Sequence, residues 1–360
     1  MVKLEGRGLL VLRVASGLCA LSLLLWTFHG VDFGRVSASV GGVGIPGLLL
    51  IAAPALLSLC LECVGWGSVF RSLGQRVAWR SIVRVRLMTE AVAQTLPLGV
   101  IWAESLKPTL LWRHSRVPGE RAVAGLVARK YLLVGSQAVS VALCSAFGFA
   151  TLQHLSLRLT GHAAFAWGAF GVSALLGCLA MGIGGAFARG RVAHRLYAVL
   201  RRVPNARLRN ALGRRRASFS NTDGLTEHYF SLGFLRSSLR PGVFFLAGWL
   251  CESLESYFIL KLLGVELDFF QVASVEVMLS FVKNVLFVLP SGIGVQDVGY
   301  VSCLTALGVP DALTVGAAFS ALKRGKELFW AAVGYLLLAS EARPKLTVTP
   351  VTPQLRIETA

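Results

Sequence analysis

Two Leu-Pro-x-Gly breaks inside long apolar sequence, at 96–99 and 289–292, constrain this chain more than any other feature. Proline removes a backbone donor and glycine weakens helical order, so neither lets a regular helix pass undisturbed. In a bilayer, backbone freed in this way has to be buried in protein or to line a cavity. Each break is followed, in the same order, by three further features. An acid stands seven residues after the proline (Glu104, Asp297), Val-Pro follows at 117–118 and 309–310, and a basic pair comes last, Arg129-Lys130 and Lys323-Arg324. Recurrence of all four in one order reads as an internal repeat.

Composition places that repeat in a membrane. Of the 360 residues 55% are hydrophobic and 15% charged, and several apolar runs are long enough to span a bilayer. A formal charge of +18 would suggest nucleic acid in a soluble chain, but the basic residues lie between and beside the apolar runs, which is the positive-inside pattern. The basic loop lacks the interleaved aromatics that stack on bases, so no nucleic-acid partner is expected. The seven cysteines are scattered through apolar segments and read as small buried hydrophobes. Cys60 and Cys63 form a lone CxxC with no second pair, and the six histidines are dispersed, so no metal site is expected. Gly42 to Gly47 fits GxGxxG but follows no strand, and no HExxH, P-loop or GxSxG occurs.

Taken in order, Lys3, Arg7 and Arg13 precede a first span at about 14–28, read as uncleaved, and a second runs from about 46 to 70. Arg71, Arg76, Arg80, Arg84 and Arg86 then mark the cytoplasmic side. Residues 87–114 form two short apolar arms around Pro97. A re-entrant hairpin is the preferred reading, with two short or kinked full spans as the alternative. Spans at about 122–150 and 163–188 follow, and then 189–216 holds ten arginines and no acid, a topogenic surface facing anionic lipid. A fifth span at about 241–262, a second pair of arms at 270–308 and a last span at about 312–340 complete the chain, ahead of a Thr/Pro-rich tail read as disordered. The second half thus reads as the first turned over. Inverted repeats with interrupted helices are a transporter architecture, and matching Gly/Pro breaks point to a site near the midplane.

The intramembrane charges are the candidate site. Free N–H groups at the hairpin helix starts favour an anion, and Gly292 and Gly294 let a headgroup approach the backbone. Asp297 and Glu104 lie near those starts, where a carboxylate also stabilises the helix. Lys323 and Glu327, four apart, are expected to pair along one helix, leaving Arg324 and Lys326 without a local partner. Arg324 is the better phosphate ligand because its planar fork can bind two oxygens. Glu276, Ser280 and Lys283 share a helix face. Glu90 and Lys283 each precede a proline by seven and are expected to pair across the repeat axis. Glu62, Glu252 and Glu255 are further buried acids able to relay protons.

The strings LPSGIGVQDVG, LGVP and SALKRGKEL resemble the conserved segment of the lysylphosphatidylglycerol synthase transmembrane (flippase-like) family. Gln296-Asp297 and the Lys-Arg-x-Lys-Glu-Leu string are similar to its hopanoid-biosynthesis-associated branch. Asp297 stands where that pattern would have Glu, and Ser291 where Gly is common. The resemblance implies a module that moves lipids between leaflets, hopanoids in that branch, with Gln296 added to the candidate site. With no soluble synthetic domain in these 360 residues, aminoacyl transfer is not expected.

The sequence therefore predicts an all-α polytopic inner-membrane protein with about six full spans and two hairpins. Residues 1–340 form one transmembrane domain, with repeats at about 9–150 and 163–340, a cytoplasmic segment at 189–240 and a cytoplasmic tail at 341–360. The expected function is transport of a lipid with a polar or anionic headgroup (phospholipid, polyprenyl phosphate or hopanoid), without enzymatic activity or cofactor. Membrane lipids are the expected partners, with Arg324, Lys326, Lys323, Gly292, Gly294, Gln296, Asp297, Arg129 and Lys130 at the headgroup. Glu90, Glu104, Glu276, Lys283, Glu252 and Glu255 are the coupling or structural charges. A non-catalytic scaffold or accessory subunit working with lipid-biosynthesis enzymes is the alternative.

Overall fold

The computed structural model describes residues 28–96, 98–202, 216–233, 237–285 and 294–342, with 22, 210 and 213 singly. These residues form thirteen α-helices and no strand. The expected first span and the tail lie outside the described residues, Ser22, Phe28, Glu341 and Ala342 aside. A short helix α1 (Phe33–Gly42), capped by Asp32 on the N–H groups of Gly34 and Arg35, leads into α2 (Gly44–Ser72). Then come α3 (Trp79–Thr95), α4 (Gly99–Ser115), α5 (Gly119–Phe147), α6 (Phe149–Thr160) and α7 (Phe165–Ala188). The arginine-rich segment carries α8 (Val192–Leu200) and α9 (Arg216–Ser231), so it is partly helical, and α9 packs against α5 and α7. The second half runs through α10 (Leu239–Leu262), α11 (Phe269–Val285), α12 (Val295–Ala306) and α13 (Ala312–Ala342).

Four helices, α2, α5, α7 and α10, are long and apolar enough to cross a membrane. Outward-facing Leu175, Leu179 and Met181 on α7 are more than half exposed, which suits contact with lipid and not with water. The helix α13 is the longest at 31 residues, yet it carries Lys323, Arg324, Lys326 and Glu327 along its middle. Such a helix is stable in lipid only if those charges face protein or a polar cavity.

Helices lie on either side of both Leu-Pro-x-Gly segments along the chain. Around Pro97, α3 and α4 have 17 residues each. At 1.5 Å per residue each is about 25 Å long, short of a hydrocarbon core of about 30 Å. The two arms fold back and pack on each other. Gly99 permits this, because a Cβ there would stand 2.5 Å from the carbonyl oxygens of Val92 and Ala93. The second break joins α11 to α12, of 17 and 12 residues, with 286–293 outside the described residues.

Neighbour relations recur between the halves. In the first, α2 touches α3 and α5, α3 touches α4, and α4 touches α5. In the second, α10 touches α11 and α13, α11 touches α12, and α12 touches α13. Across the halves α2 packs along α10, while the leading arms exchange partners, α3 lying on α13 and α11 on α5. The extensive α5–α10 contact is one departure from this symmetry. Two apolar cores form, one around Trp66, Phe70 and Met88 that also takes in Phe245 of α10, and one around Ile259, Leu304 and Phe319 that also takes in Ile51 of α2.

The α3–α13 crossing is tight. A Cβ at Gly334 would meet the Leu87 carbonyl oxygen at 2.4 Å and Ala91 Cβ at 2.6 Å, and one turn on, Thr95 and Tyr335 share a 2.5 Å hydroxyl contact. Gly325, on the same helix, has nothing within 4 Å of a added Cβ. Gly334→Val is therefore expected to cost about 1–3 kcal/mol by overpacking. It should lower the thermal midpoint of the detergent-solubilised protein, while Gly325→Ala should leave it no lower than wild type.

Candidate functional site

Between the halves lies a polar cavity of about 240 Å³ lined from α2, α3, α5, α10, α11, α12 and α13. Its depth follows from the spans that line it, since Ser58 is the middle residue of α2 and Trp249 lies one turn or less from the middle of α10. The cavity therefore opens at the level where unpaired charge is most costly.

In the first half the wall is built around Glu62 of α2. Arg86 on α3 donates through Nε to Glu62 Oε2 at 2.9 Å and through Nη1 to Glu90, one turn along its own helix. Gln94 donates to Glu90 Oε1 at 3.0 Å. From α5, Arg129 donates to Glu62 Oε2 at 3.3 Å, with its guanidinium 5.1 Å from the centre of the Trp66 ring. On α4, buried Lys107 donates to Glu104 Oε1 at 2.8 Å.

The second half is built from α13. Lys323 Nζ donates to Glu276 Oε1 of α11 and to the Tyr300 hydroxyl of α12, both at 2.7 Å, and to Ser256 of α10 at 3.1 Å. Tyr300 and Ser256 in turn donate to Glu276. Lys326 Nζ donates to both oxygens of Glu255 at 2.6 and 2.7 Å. Arg324 donates to Glu327 at 2.7 Å and, more weakly, to Asp297 and Gln296 at 3.4 Å each. Asp297 also accepts the Gly294 N–H at 2.9 Å and so caps the start of α12. Each of these ion pairs joins residues of the same half. In each half the last helix also reaches the first, Arg129 to Glu62 and Lys326 to Glu255.

These contacts correct several expectations. Lys323 pairs with Glu276 and not with Glu327, which takes Arg324 instead. The geometry behind this is that three and four residues along a helix both lie on one face, and α11 presents a carboxylate to Lys323 that the sequence spacing could not show. Arg324 does have a local partner, Glu327, whereas Lys326 has none on its own helix and takes Glu255 of α10 instead. Glu90 is held by Arg86, while Gly292 and the side chain of Lys283 lie outside the described residues. Lys130 is exposed and does not line the cavity; Arg129 is buried but sits behind Glu62. Glu252, Glu255, Glu276, Glu90 and Gln296 do line it. Glu104 pairs with Lys107 outside the lining.

Sequence reasoning passed over Arg86, Lys107, Gln94, Gln137, Trp249, Tyr300 and Trp330. Arg86 follows a run of arginines that mark the cytoplasmic side in the sequence, but α3 begins at Trp79 and carries it to the cavity wall. Its spacing of four from Glu90 was the available signal, as was the spacing of three from Glu104 to Lys107. Among the described residues, no group of His, Cys, Asp or Glu side chains is placed to hold a metal ion.

Glu255 is 2% exposed, so removing its partner leaves a buried charge without compensation. Lys326→Met is expected to cost about 3–5 kcal/mol, and adding Glu255→Gln should recover much of that loss. A double-mutant cycle on unfolding in detergent measures this coupling.

Comparison with known proteins agrees with this architecture. The family model described as lysylphosphatidylglycerol synthase TM region matches residues 9–322, ending just ahead of Lys323. A comparison with the curated proteins found no match. The matched residues take in both helix breaks and the cavity wall except Lys323, Lys326, Glu327 and Trp330, and the chain belongs to the lysylphosphatidylglycerol synthase TM-region family.

Proposed function

We propose that this protein moves a polar-headgroup lipid between the leaflets of the bacterial inner membrane. The observation that carries the reading is the charged cavity at mid-span, enclosed by two interrupted helical segments and opening between two halves with matching neighbour relations. Membership of a membrane family related to lipid handling supports it. A polar cavity at that depth gives a headgroup a path through the hydrocarbon core, while the acyl or polycyclic tail stays in lipid. In this reading α3–α4 and α11–α12 are re-entrant hairpins of an inverted repeat, both termini are cytoplasmic, and the lipid is carried without chemical change.

The charge pattern suggests how the site moves. The ion pairs around the cavity fasten each half internally, whereas the α3–α13 crossing between halves is built on Gly334 and Ala91. Two bodies meeting at a close-packed seam of small residues can rock about a fixed site, the behaviour typical of inverted-repeat transporters. Arg324 bridges α13 to the cap of α12, so its contact with Asp297 couples the last helix to the second break.

Fluorescent lipids reconstituted with the protein in liposomes test the reading through headgroup accessibility in each leaflet. The panel includes a phospholipid, a polyprenyl phosphate and a hopanoid. Wild type should exchange at least one of them faster than protein-free liposomes. Arg324→Gln and Asp297→Asn should slow that exchange about tenfold or more, the effect of losing a charge-assisted contact of ~1.4 kcal/mol or above. The lipid-facing substitution Leu179→Ala should not. Equal exchange with and without protein, for every lipid, would contradict the proposal.

A further inference from the structure

We infer that a second groove, at the opposite end of α7 from the arginine-rich segment, binds the phosphate group of a lipid headgroup. It lies between α6 and the end of α12 and has a volume of about 690 Å³. Four polar side chains line it, His154 and Arg158 from α6 and Ser302 and Thr305 from α12. Spacings of four and three put each pair on one face of its helix, so nitrogen donors and hydroxyls share the groove. The local sequence fixes α6 in this position. Leu152 and Leu155 are buried on one side of it, and the Ser156 hydroxyl accepts the N–H groups of Ala164 and Phe165 at 2.9 and 3.1 Å, which ties α6 to the start of α7. His154 and Arg158 are left exposed.

Charge without a counterion marks the groove as an anion site. No acid lines it, and among the described residues the side chains of His154, Arg158 and Ser302 make no hydrogen bond or ion pair. In the central cavity, by contrast, Arg86, Lys323 and Lys326 are each held by a carboxylate. Arg158 has no topogenic use either. The ten arginines of 189–216 mark one end of α7 as the cytoplasmic side, and α6 joins its other end. Arg35, also on that outer side, is paired with Asp32 and Asp311.

A phosphate suits this set of donors. Its oxygens match the guanidinium fork and can take a hydroxyl proton, and Arg158 stays charged throughout the physiological range. Free carbonyls at a helix C-terminus would oppose an anion. At the end of α12 that opposition is blunted, because the carbonyls of Cys303, Leu304 and Thr305 accept the N–H groups of Leu307, Val309 and Gly308. The rest of the lining points to a lipid as the source of the phosphate. Leu159, 39% exposed, lies beside Arg158, and with Val301 and Leu307 it gives an acyl chain an apolar surface next to the charge. The inference needs α5 and α7 to cross the membrane, and it does not depend on transport.

The test mixes the full-length protein in detergent with phosphatidylglycerol carrying a photoreactive group in its headgroup, and peptide mass spectrometry maps the crosslinks. Labelling should concentrate on α6 and α12. Unlabelled phosphatidylglycerol should compete with it, whereas diacylglycerol of the same chains and inorganic phosphate should not. Arg158→Gln should reduce labelling of these two helices about tenfold, the loss of a charge-assisted contact, and Ser302→Ala about threefold, the loss of a neutral hydrogen bond. Arg113→Gln, which removes an exposed cation near the end of α4, should leave it unchanged. Labelling spread evenly over the lipid-facing helices, competition by diacylglycerol, or labelling untouched by Arg158→Gln in a folded variant would overturn the inference. Equal competition by inorganic phosphate would keep the phosphate site and overturn its lipid source. Leaflet exchange is not read in this experiment, so failure here leaves the transport reading standing, and failure of exchange leaves this site standing.

Discussion

The structure depends on one constraint, the cost of placing charge at the middle of a membrane span. Glu62, Glu255 and Lys323 lie in helices that a bilayer would accept only if those groups were hidden and matched. The fold meets the constraint by building a shared polar interior and supplying a partner to each cation there. Arg86 and Arg129 converge on Glu62, Lys326 takes Glu255, and Lys323 enters a four-membered network with Glu276, Tyr300 and Ser256. Buried pairs of this kind contribute little net stability, but removing one member is strongly unfavourable. Their effect is to specify which helices meet and in what register.

That specification has a functional consequence. The pairs around the cavity lie within halves and hold each half together, while Arg35 with Asp311 at 3.8 Å and His114 with Glu341 at 3.6 Å join the halves away from it. At the α3–α13 crossing the seam depends instead on small residues and close van der Waals contact, as at Gly334 against Leu87 and Ala91. The short arms α3, α11 and α12 each contribute side chains to the cavity wall. On the proposed transport reading, a headgroup at mid-span is surrounded by polar groups while the two bodies shift around it.

Much of this was legible in the sequence because it rests on local chemistry. The apolar runs gave α2, α5, α7, α10 and α13 nearly to their ends, since a bilayer demands length and apolarity in one stretch. Pro97 lies between α3 and α4 and Pro290 between α11 and α12 along the chain, and Glu252, Glu255, Glu276 and Gln296, named from the sequence, line the cavity. What the sequence could not supply was long-range pairing. Lys323 and Glu276 are separated by 47 positions, and Lys326 and Glu255 by 71, so no helical spacing rule links them. Arg86 was misread because positive residues flanking a span are usually topogenic, and only the early start of α3 turns that side chain inward. Trp249 and Gln137 carry no charge and stand out only when the cavity brings them together.

The most direct test of the central claim is access to the cavity from the two sides of the membrane. Ser58, at the middle of α2 and on the cavity wall, can be replaced by cysteine in a variant whose native cysteines are changed to serine or alanine. A membrane-impermeant thiol reagent is then applied to one side of oriented vesicles at a time. Alternating access predicts that the introduced cysteine reacts from each side, and that transported lipid slows both reactions. Reaction from one side alone under all lipid conditions, or from neither in a folded protein, would contradict it.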